Sequence, residues 1–407
     1  MAYNNNINYA AVFNRILDEK FYIMPRTLWM ENTDPTIEWT GGKEIKIPYM
    51  TMDGLGTMQG YKAPDGDLTL GYETKTLQWY RGRNFAIGRY DVDETNMTLT
   101  VGNALRVFLA QHVVPEVDRL RIAKLAQHAI GYGASNITAQ ASSGITKDNI
   151  LGLLLDDIAK VQDQIGETEQ LYIQIGTQCK NLLQQSSQIS RYLNVRDFSI
   201  RSATMRIEAL NDQFLVGTPA SYMNSVVRVN DGRTAGQTVG GVTFTDLGPS
   251  VNWIIAARPV ADAVARPQVS KVIPPDLNQE GEFWKIMFSI YHGMWTMDMK
   301  REGVLVNMDT TLATLAVTSV AGTASGTTVI SAGDVPGDAA VQYVYKVGDA
   351  AQTVTFGTAL SAADGWAPLP ADGTITATSG KVVTVALAAN GSNLPLAYGS
   401  ATVVAAS

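Results

Sequence analysis

YETKTLQWYRGRNFAIGRYDVDET, residues 72 to 95, is the stretch on which the reading turns. Its Thr, Tyr, Trp, Phe and Ile favour extended backbone. It passes through Arg81, Arg83 and Arg89 and ends on Asp91, Asp93 and Glu94. Upstream, in KEIKIPYM, Ile45, Ile47 and Tyr49 fall on one face of a strand and Glu44 and Lys46 on the other, and Pro48 confines that strand to a sheet edge. A tip with Gly54, Gly56, Gly60, Pro64 and Gly66 follows, and DLTLGYETKTLQW returns, so the two runs are expected to form a long β-hairpin. A two-stranded ribbon is marginal in water, because each ordered residue costs about 1–2 kcal/mol of backbone entropy with no core to offset it. Such a ribbon needs a cover, from its own chain or from another molecule.

Working outward, residues 7 to 23 carry apolar side chains at helical spacing and are expected to form a short amphipathic helix in an N-terminal arm. Beyond the acids, Val101, Leu105, Phe108 and His112 recur at four and three, predicting a long helix from Thr95 to about Ile130 that is kinked or broken at Pro115. Asp148 is expected to cap a second helix, DNILGLLLDDIAKVQDQI, which precedes the strand QLYIQIG. VNWIIAARPVADAV and GEFWKIMFSIYHGMWTMDMKREGVLV read as long strands separated by the turn at Pro274 and Pro275. From Leu312 to Ser407 the composition changes: Arg, Glu, His, Met and Cys vanish and short Val/Thr/Ala runs alternate with Gly, Asp, Asn and Pro. That pattern predicts a separate all-β sandwich of the immunoglobulin type, with Trp366 as core anchor. The fold class is therefore α+β with an appended β module.

The 407 residues are 45% apolar, enough for several cores, and carry a net charge of −7, which argues against a chain built to neutralise phosphates. No signal-peptide pattern or long apolar run indicates secretion or membrane insertion. The single cysteine, Cys179, fits folding in a reducing cytoplasm. Sequons at Asn96, Asn136 and Asn390 then read as chance.

Chemistry is sparse. Aligned on a calcium loop, the run from Asp91 places Asn96 where glycine is required and Gly102 where glutamate is required. The acids read instead as preceding a helix N-terminus capped by Thr95 or Asn96, and as partners for Arg81, Arg83 or Arg89. His112 is expected in a core or interface, and Cys179 as a buried apolar residue despite its neighbour Lys180. Asp156 and Asp157 point apart on a helix, which removes them as a glycosidase pair. No catalytic site, cofactor or metal is expected.

The run quoted above, with VVPEVDRLRIAKLA, VNWIIAARPVADAVARPQVSKVIPP and FWKIMFSIYHGMWTMDMKREGVLV, resembles the major capsid proteins of tailed bacteriophages, particularly a branch found in phages of Gram-positive bacteria, over roughly residues 1 to 310. That resemblance implies the Hong Kong 97 (HK-97-like) fold: an N-terminal arm over 1–34, an E-loop hairpin over 35–80, a peripheral domain from 81–165 with 260–311 and its spine helix over about 95–130, an axial domain over 166–259, and an immunoglobulin-like tail over 312–407. It further implies a subunit of the icosahedral virion, assembled in the host cytoplasm as pentamers and hexamers, with the hairpin lying across a neighbouring copy. A scaffolding protein, a portal protein, a decoration protein and loosely held double-stranded DNA are the implied partners, with no membrane. Lys43, Lys46, Glu73, Lys75, Arg81, Arg83, Arg89, Asp91, Asp93 and Glu94 are the expected inter-subunit contacts, giving register more than affinity. Self-cross-linking through Lys43, Lys46 or Lys62 is not expected, since no acidic catalyst or target asparagine matches. The competing readings are an encapsulin-like compartment or another phage assembly protein, a carbohydrate-active enzyme with a β-sandwich, and a glycan-binding adhesin.

Overall fold

The computed structural model describes residues 25–31, 44–94, 100–187, 193–200, 203–210, 213–244, 248–333 and 340–406. The helix expected over 7–23, and Lys43, lie outside them. Two compact units emerge, one from residues 1–17, 31–104 and 262–299, the other from 18–30, 105–261 and 300–407.

In the first unit, β1 (Glu44–Met52) and β2 (Leu68–Thr76) pair antiparallel as the expected hairpin, with Pro48 opposite Tyr72, Met50 opposite Leu70 and Met52 opposite Leu68. With only two strands, both are edges, which is why Pro48 is tolerated. The extended run quoted above is interrupted at residues 77–78. It resumes as β3 (Trp79–Gly88), then coils into the short helix α1 (Arg89–Glu94), so the acids sit inside a helix and not ahead of one. Thr95 and Asn96, the expected caps, lie outside the described residues. β3 is one edge of a three-stranded sheet whose centre is Phe283–Thr296 and whose other edge is Ala261–Ile273; on that side Glu31 bridges Ala263.

The second unit is organised on a seven-stranded sheet in the order Ile137–Ala139, Val304–Met308, Val251–Ala257, Leu171–Gly176, Gln213–Thr218, Ala203–Leu210, Leu193–Ile200. Every residue of Leu171–Gly176, Val251–Ala257 and Val304–Met308 is buried, hence their nearly unbroken apolar runs. Strands from the blocks expected as peripheral (304–308) and axial (171–176, 251–257) thus share one sheet.

The long helix is described from α2 (Val101–Phe108) through a π turn, Leu109–Val113, into α3 (Val114–Tyr132). Pro115 does not break it. A proline cannot donate to the carbonyl four residues back and its ring collides with it. The chain widens instead, Val114 donating to the Leu109 carbonyl five residues back while Phe108, Val113 and Val114 keep right-handed helical angles. Leu105 and Phe108 are half-buried and His112 is exposed, its ring tilted against that of Phe108 at 5.8 Å, so of the core or interface position expected for His112 the core alternative is excluded. The buried part of the helix is α3, from Asp118 to Ile130. Asp118 accepts the Arg26 N–H at 2.7 Å, the Thr27 N–H at 3.3 Å and the Thr27 hydroxyl at 2.5 Å, and Arg121 donates to the Thr27 hydroxyl at 3.2 Å. Burial holds the Asp118 carboxyl above its ordinary value, against the pull of the Thr27 and Arg26 hydrogen bonds and the Arg121 charge.

Helix α4 (Ile150–Ile165) buries Ile150, Leu154, Ile158 and Val161 at a spacing of three and four. Its expected Asp148 cap is absent: Asn149 precedes the helix and fastens the loop before it, accepting the Thr146 N–H and donating to the Gly144 carbonyl. α5 (Thr177–Gln184) buries Cys179, as expected, and burial pushes its thiol up to about 11 in spite of the adjacent Lys180. The C-terminal residues form a five-stranded sheet, in which Val382–Ala389 lies between Val341–Gly348 and Pro395–Thr402, and a three-stranded sheet of Thr318–Ala321, Thr327–Ser331 and Thr374–Thr376. Trp366 is buried among Val344, Val354, Leu360, Ala386 and Ala388, the anchoring role expected of it.

Candidate assembly surface

Strand alternation sorts the hairpin into two unequal faces. One carries Ile47, Tyr49, Gly71, Glu73 and Lys75, all half-buried. Tyr49 folds over Gly71, where an added Cβ would stand 2.4 Å from the ring, so a side chain at that position would displace the tyrosine. At the root, Leu77 and Trp295 are buried with Ile47, Val264 and Tyr291 packed round them. Lys75 Nζ reaches Asp298 Oδ2 at 2.8 Å and Glu73 Oε2 at 3.3 Å, so the root is held by apolar packing and by one bridging cation.

Among the described residues, nothing covers the other face. Pro48, Met50 and Met52 with their partners Tyr72, Leu70 and Leu68 make three consecutive apolar cross-strand pairs, and the five large side chains other than Pro48 are each more than half exposed. Lys46, Thr74 and Thr76 extend this face toward the root, all exposed. In the tip, Leu55 and Tyr61 are fully exposed, while Asp53 Oδ2 accepts the Asp67 N–H at 2.8 Å and closes its base. An apolar strip of this kind on a monomer's surface marks a contact site.

The charged residues singled out from sequence are not gathered into one cluster. Lys46 is exposed on the bare face. Glu73 and Lys75 are joined to each other, and Lys75 to Asp298, 223 residues away, a partner that no spacing in the sequence signals. On β3, Arg81 is half-buried and Arg83 exposed; Arg89 is exposed at the start of α1. Asp91 turns back onto its own chain, its Oδ2 accepting the Gly88 N–H at 2.9 Å. Asp93 and Glu94 fall on the same helix, with side chains outside the described set. At the other end of β3, exposed Tyr80 stacks on Tyr291 at 4.1 Å.

Asp156 and Asp157 do diverge. Asp156 is exposed and Asp157 is buried, accepting from Thr138, Trp253 Nε1, Asn307 and Lys160, a hub that ties α4 to the sheet. Among the described residues no three His, Cys, Asp or Glu side chains are grouped so as to hold a metal ion, and no helix is long and apolar enough to cross a membrane.

No known protein family matches this sequence, and no curated protein resembles it. Solved structures do. The capsid structure of the cyanophage P-SCSP1u matches with a TM-score of 0.52 at 12% identity, over 74% of this chain and 92% of that one. A chain from Mycobacterium phage Che8 matches with a TM-score of 0.47 at 12% identity, over 75% of this chain and 98% of that one. This mixed helix-and-sheet fold is therefore shared with a phage capsid.

Proposed function

We propose that this chain is the major capsid protein of a tailed bacteriophage, a structural and non-enzymatic subunit that assembles with copies of itself into the head shell. The observation that carries the proposal is the bare apolar strip of the hairpin on a chain whose fold is that of a phage capsid protein. A hairpin that ordered itself alone would leave this strip in water; covering it with a sibling subunit returns roughly 1.5–3 kcal/mol for each large side chain buried. Because the strip of one copy meets a different surface on the next, the contact is heterologous, and head-to-tail contacts of that kind close into rings. Rings of five and six then tile an icosahedral shell.

In this reading the chain follows the HK-97-like plan: residues 1–34 form the arm, 35–80 the E-loop, 81–165 with 260–311 the peripheral domain, 166–259 the axial domain, and 312–407 an immunoglobulin-like sandwich on the outer surface. Arg81, Arg83 and Arg89 set register against a neighbour's acids. A scaffolding protein, a portal protein and a decoration protein are the further partners, and the shell encloses double-stranded DNA by loose contact, since the net charge of −7 disfavours tight phosphate binding. The test is electron microscopy of the expressed protein, with and without a co-expressed scaffolding gene. Closed icosahedral particles are expected; a strictly monomeric protein under both conditions would overturn the proposal, and particles that package cellular protein cargo in place of DNA would favour the encapsulin-like alternative.

A further inference from the structure

A turn of the C-terminal module meets the last turn of α3, backbone against backbone. The turn Asn390–Asn393 joins the strands Val382–Ala389 and Pro395–Thr402. A Cβ placed on Gly131 would lie 3.3 Å from the Asn390 carbonyl oxygen, and one placed on Gly391, at φ +94°, would lie 3.0 Å from the Gly131 carbonyl oxygen. The turn cannot easily yield. Asn390 donates to the Ala340 carbonyl at 2.8 Å, Asn393 donates to the Ala389 carbonyl at 2.9 Å in a left-handed conformation, and Gln342 donates to the Asn393 side chain at 2.8 Å.

The same helix end is fastened a second time where the module begins. Asn136, just past α3, donates to the carbonyls of Arg301 and Val304 at 2.7 and 2.8 Å, at the start of the strand that leads into the module. In the connection itself, the Asp309 N–H donates to the Ser250 carbonyl at 2.9 Å and its carboxylate accepts from the Ser142 and Thr311 N–H groups. Burial works to raise the Asp309 carboxyl, but those hydrogen bonds outweigh it and the group lies below its ordinary value. A glycine inside a helix costs about 1 kcal/mol relative to alanine. At Gly131 that weakness coincides with an approach that a Cβ would crowd and a larger side chain would obstruct.

We propose that the C-terminal module is a fixed brace docked on the end of α3. The glycine-to-glycine contact closes a loop that the fastened connection opens, so that the module holds one orientation relative to the helix. This inference does not depend on the shell reading and applies equally to a monomer.

The test uses the full chain. Gly131→Cys combined with Asn390→Cys, oxidised with glutathione disulfide, should form an intramolecular disulfide recovered as one linked peptide by mass spectrometry. Gly131→Cys with Thr378→Cys should not, because Thr378 lies in the loop that enters the strand Val382–Ala389 at the end opposite Asn390. Cys179 should not compete, being buried with its thiol raised to about 11. In a second arm, Gly131→Leu should increase protease cleavage at the connection, residues 309–312, by about tenfold or more, corresponding to about 1.4 kcal/mol of lost docking, while Gly131→Ala should change it little. Equal trapping of both cysteine pairs, or no trapping at 131 and 390 together with unchanged cleavage in Gly131→Leu, would overturn the brace.

Discussion

The hairpin and the helix α3 invert the usual pattern in opposite directions. On β1 and β2 the large apolar side chains Met50, Met52, Leu68, Leu70 and Tyr72 face water. On α3 the polar and charged side chains Asp118, Arg121, Lys124 and Gln127 are buried at a spacing of three. The helix can bury them because its own chain supplies partners: Thr27 and Arg26 for Asp118, Thr27 for Arg121, and the Ser225 carbonyl for Gln127. The hairpin exposes its apolar strip because, among the described residues, the chain places nothing over it. One region is complete in the monomer and the other, in the proposed reading, is completed by a partner, and substitutions should separate them.

The largest effect is expected at Asp118. Asp118→Ala removes the acceptor for two backbone N–H groups and a hydroxyl at a site almost wholly removed from solvent, together with the negative charge that acts on Arg121. Each buried donor left unsatisfied costs about 1–3 kcal/mol. Urea denaturation of the monomer should show that loss as a lower midpoint with an unchanged slope. A loss below about 1 kcal/mol would mean that the segment Arg26–Met30 is not held by this carboxylate, and the contrast with the hairpin would lose its stronger pole.

The converse is expected on the ribbon. Met50→Asp with Leu70→Asp places two charges on the bare face, where solvent already reaches both positions, so monomer stability should stay within about 0.5 kcal/mol of the parent. Assembly should fail, since each hairpin then forgoes two buried side chains worth roughly 1.5–3 kcal/mol apiece and must desolvate two carboxylates. Sedimentation of particles against free subunits reads the outcome. Normal particle yield would remove the strip from the interface; a large loss of monomer stability would mean that the strip is covered within its own chain.

The two regions were not equally legible in the sequence. The hairpin could be read because a period of two, a glycine-rich tip and Pro48 are local signals, and the backbone followed them to within a residue or two. Trp366 and Cys179 could be placed for a similar reason: a large or small apolar residue in an apolar run needs only burial. The helix misled. Its apolar spacing from Val101 to His112 suggested the core, yet the deepest part is α3, where charged residues break the apolar pattern and only contacts some 90 residues away reveal why they are buried. At Pro115 the rule that a proline breaks a helix omits the alternative of a wider turn. The candidate surface was legible as a ribbon in want of a cover. Its key ion was not: Lys75 was singled out for contact between subunits, but its bond to Asp298 depends on tertiary structure that no spacing encodes.

That bond yields the smallest and sharpest test. Lys75 and Glu73 are each about 15% exposed and Asp298 is 55% exposed, so the triad is partly screened and should contribute no more than about 1 kcal/mol. Lys75→Met keeps most of the stem packed against the root and deletes only the cation. Hydrogen exchange of the amides of residues 72–76 should then accelerate about fivefold, the equivalent of about 1 kcal/mol, with global stability nearly unchanged. Lys75→Asp with Asp298→Lys should restore most of the protection by reversing the pair, although Glu73 would then repel its new neighbour and keep the rescue partial. If exchange in Lys75→Met matches the parent, the apolar cluster of Leu77, Trp295 and Ile47 alone fixes the root, and Lys75 becomes free to serve the inter-subunit role that its charge first suggested.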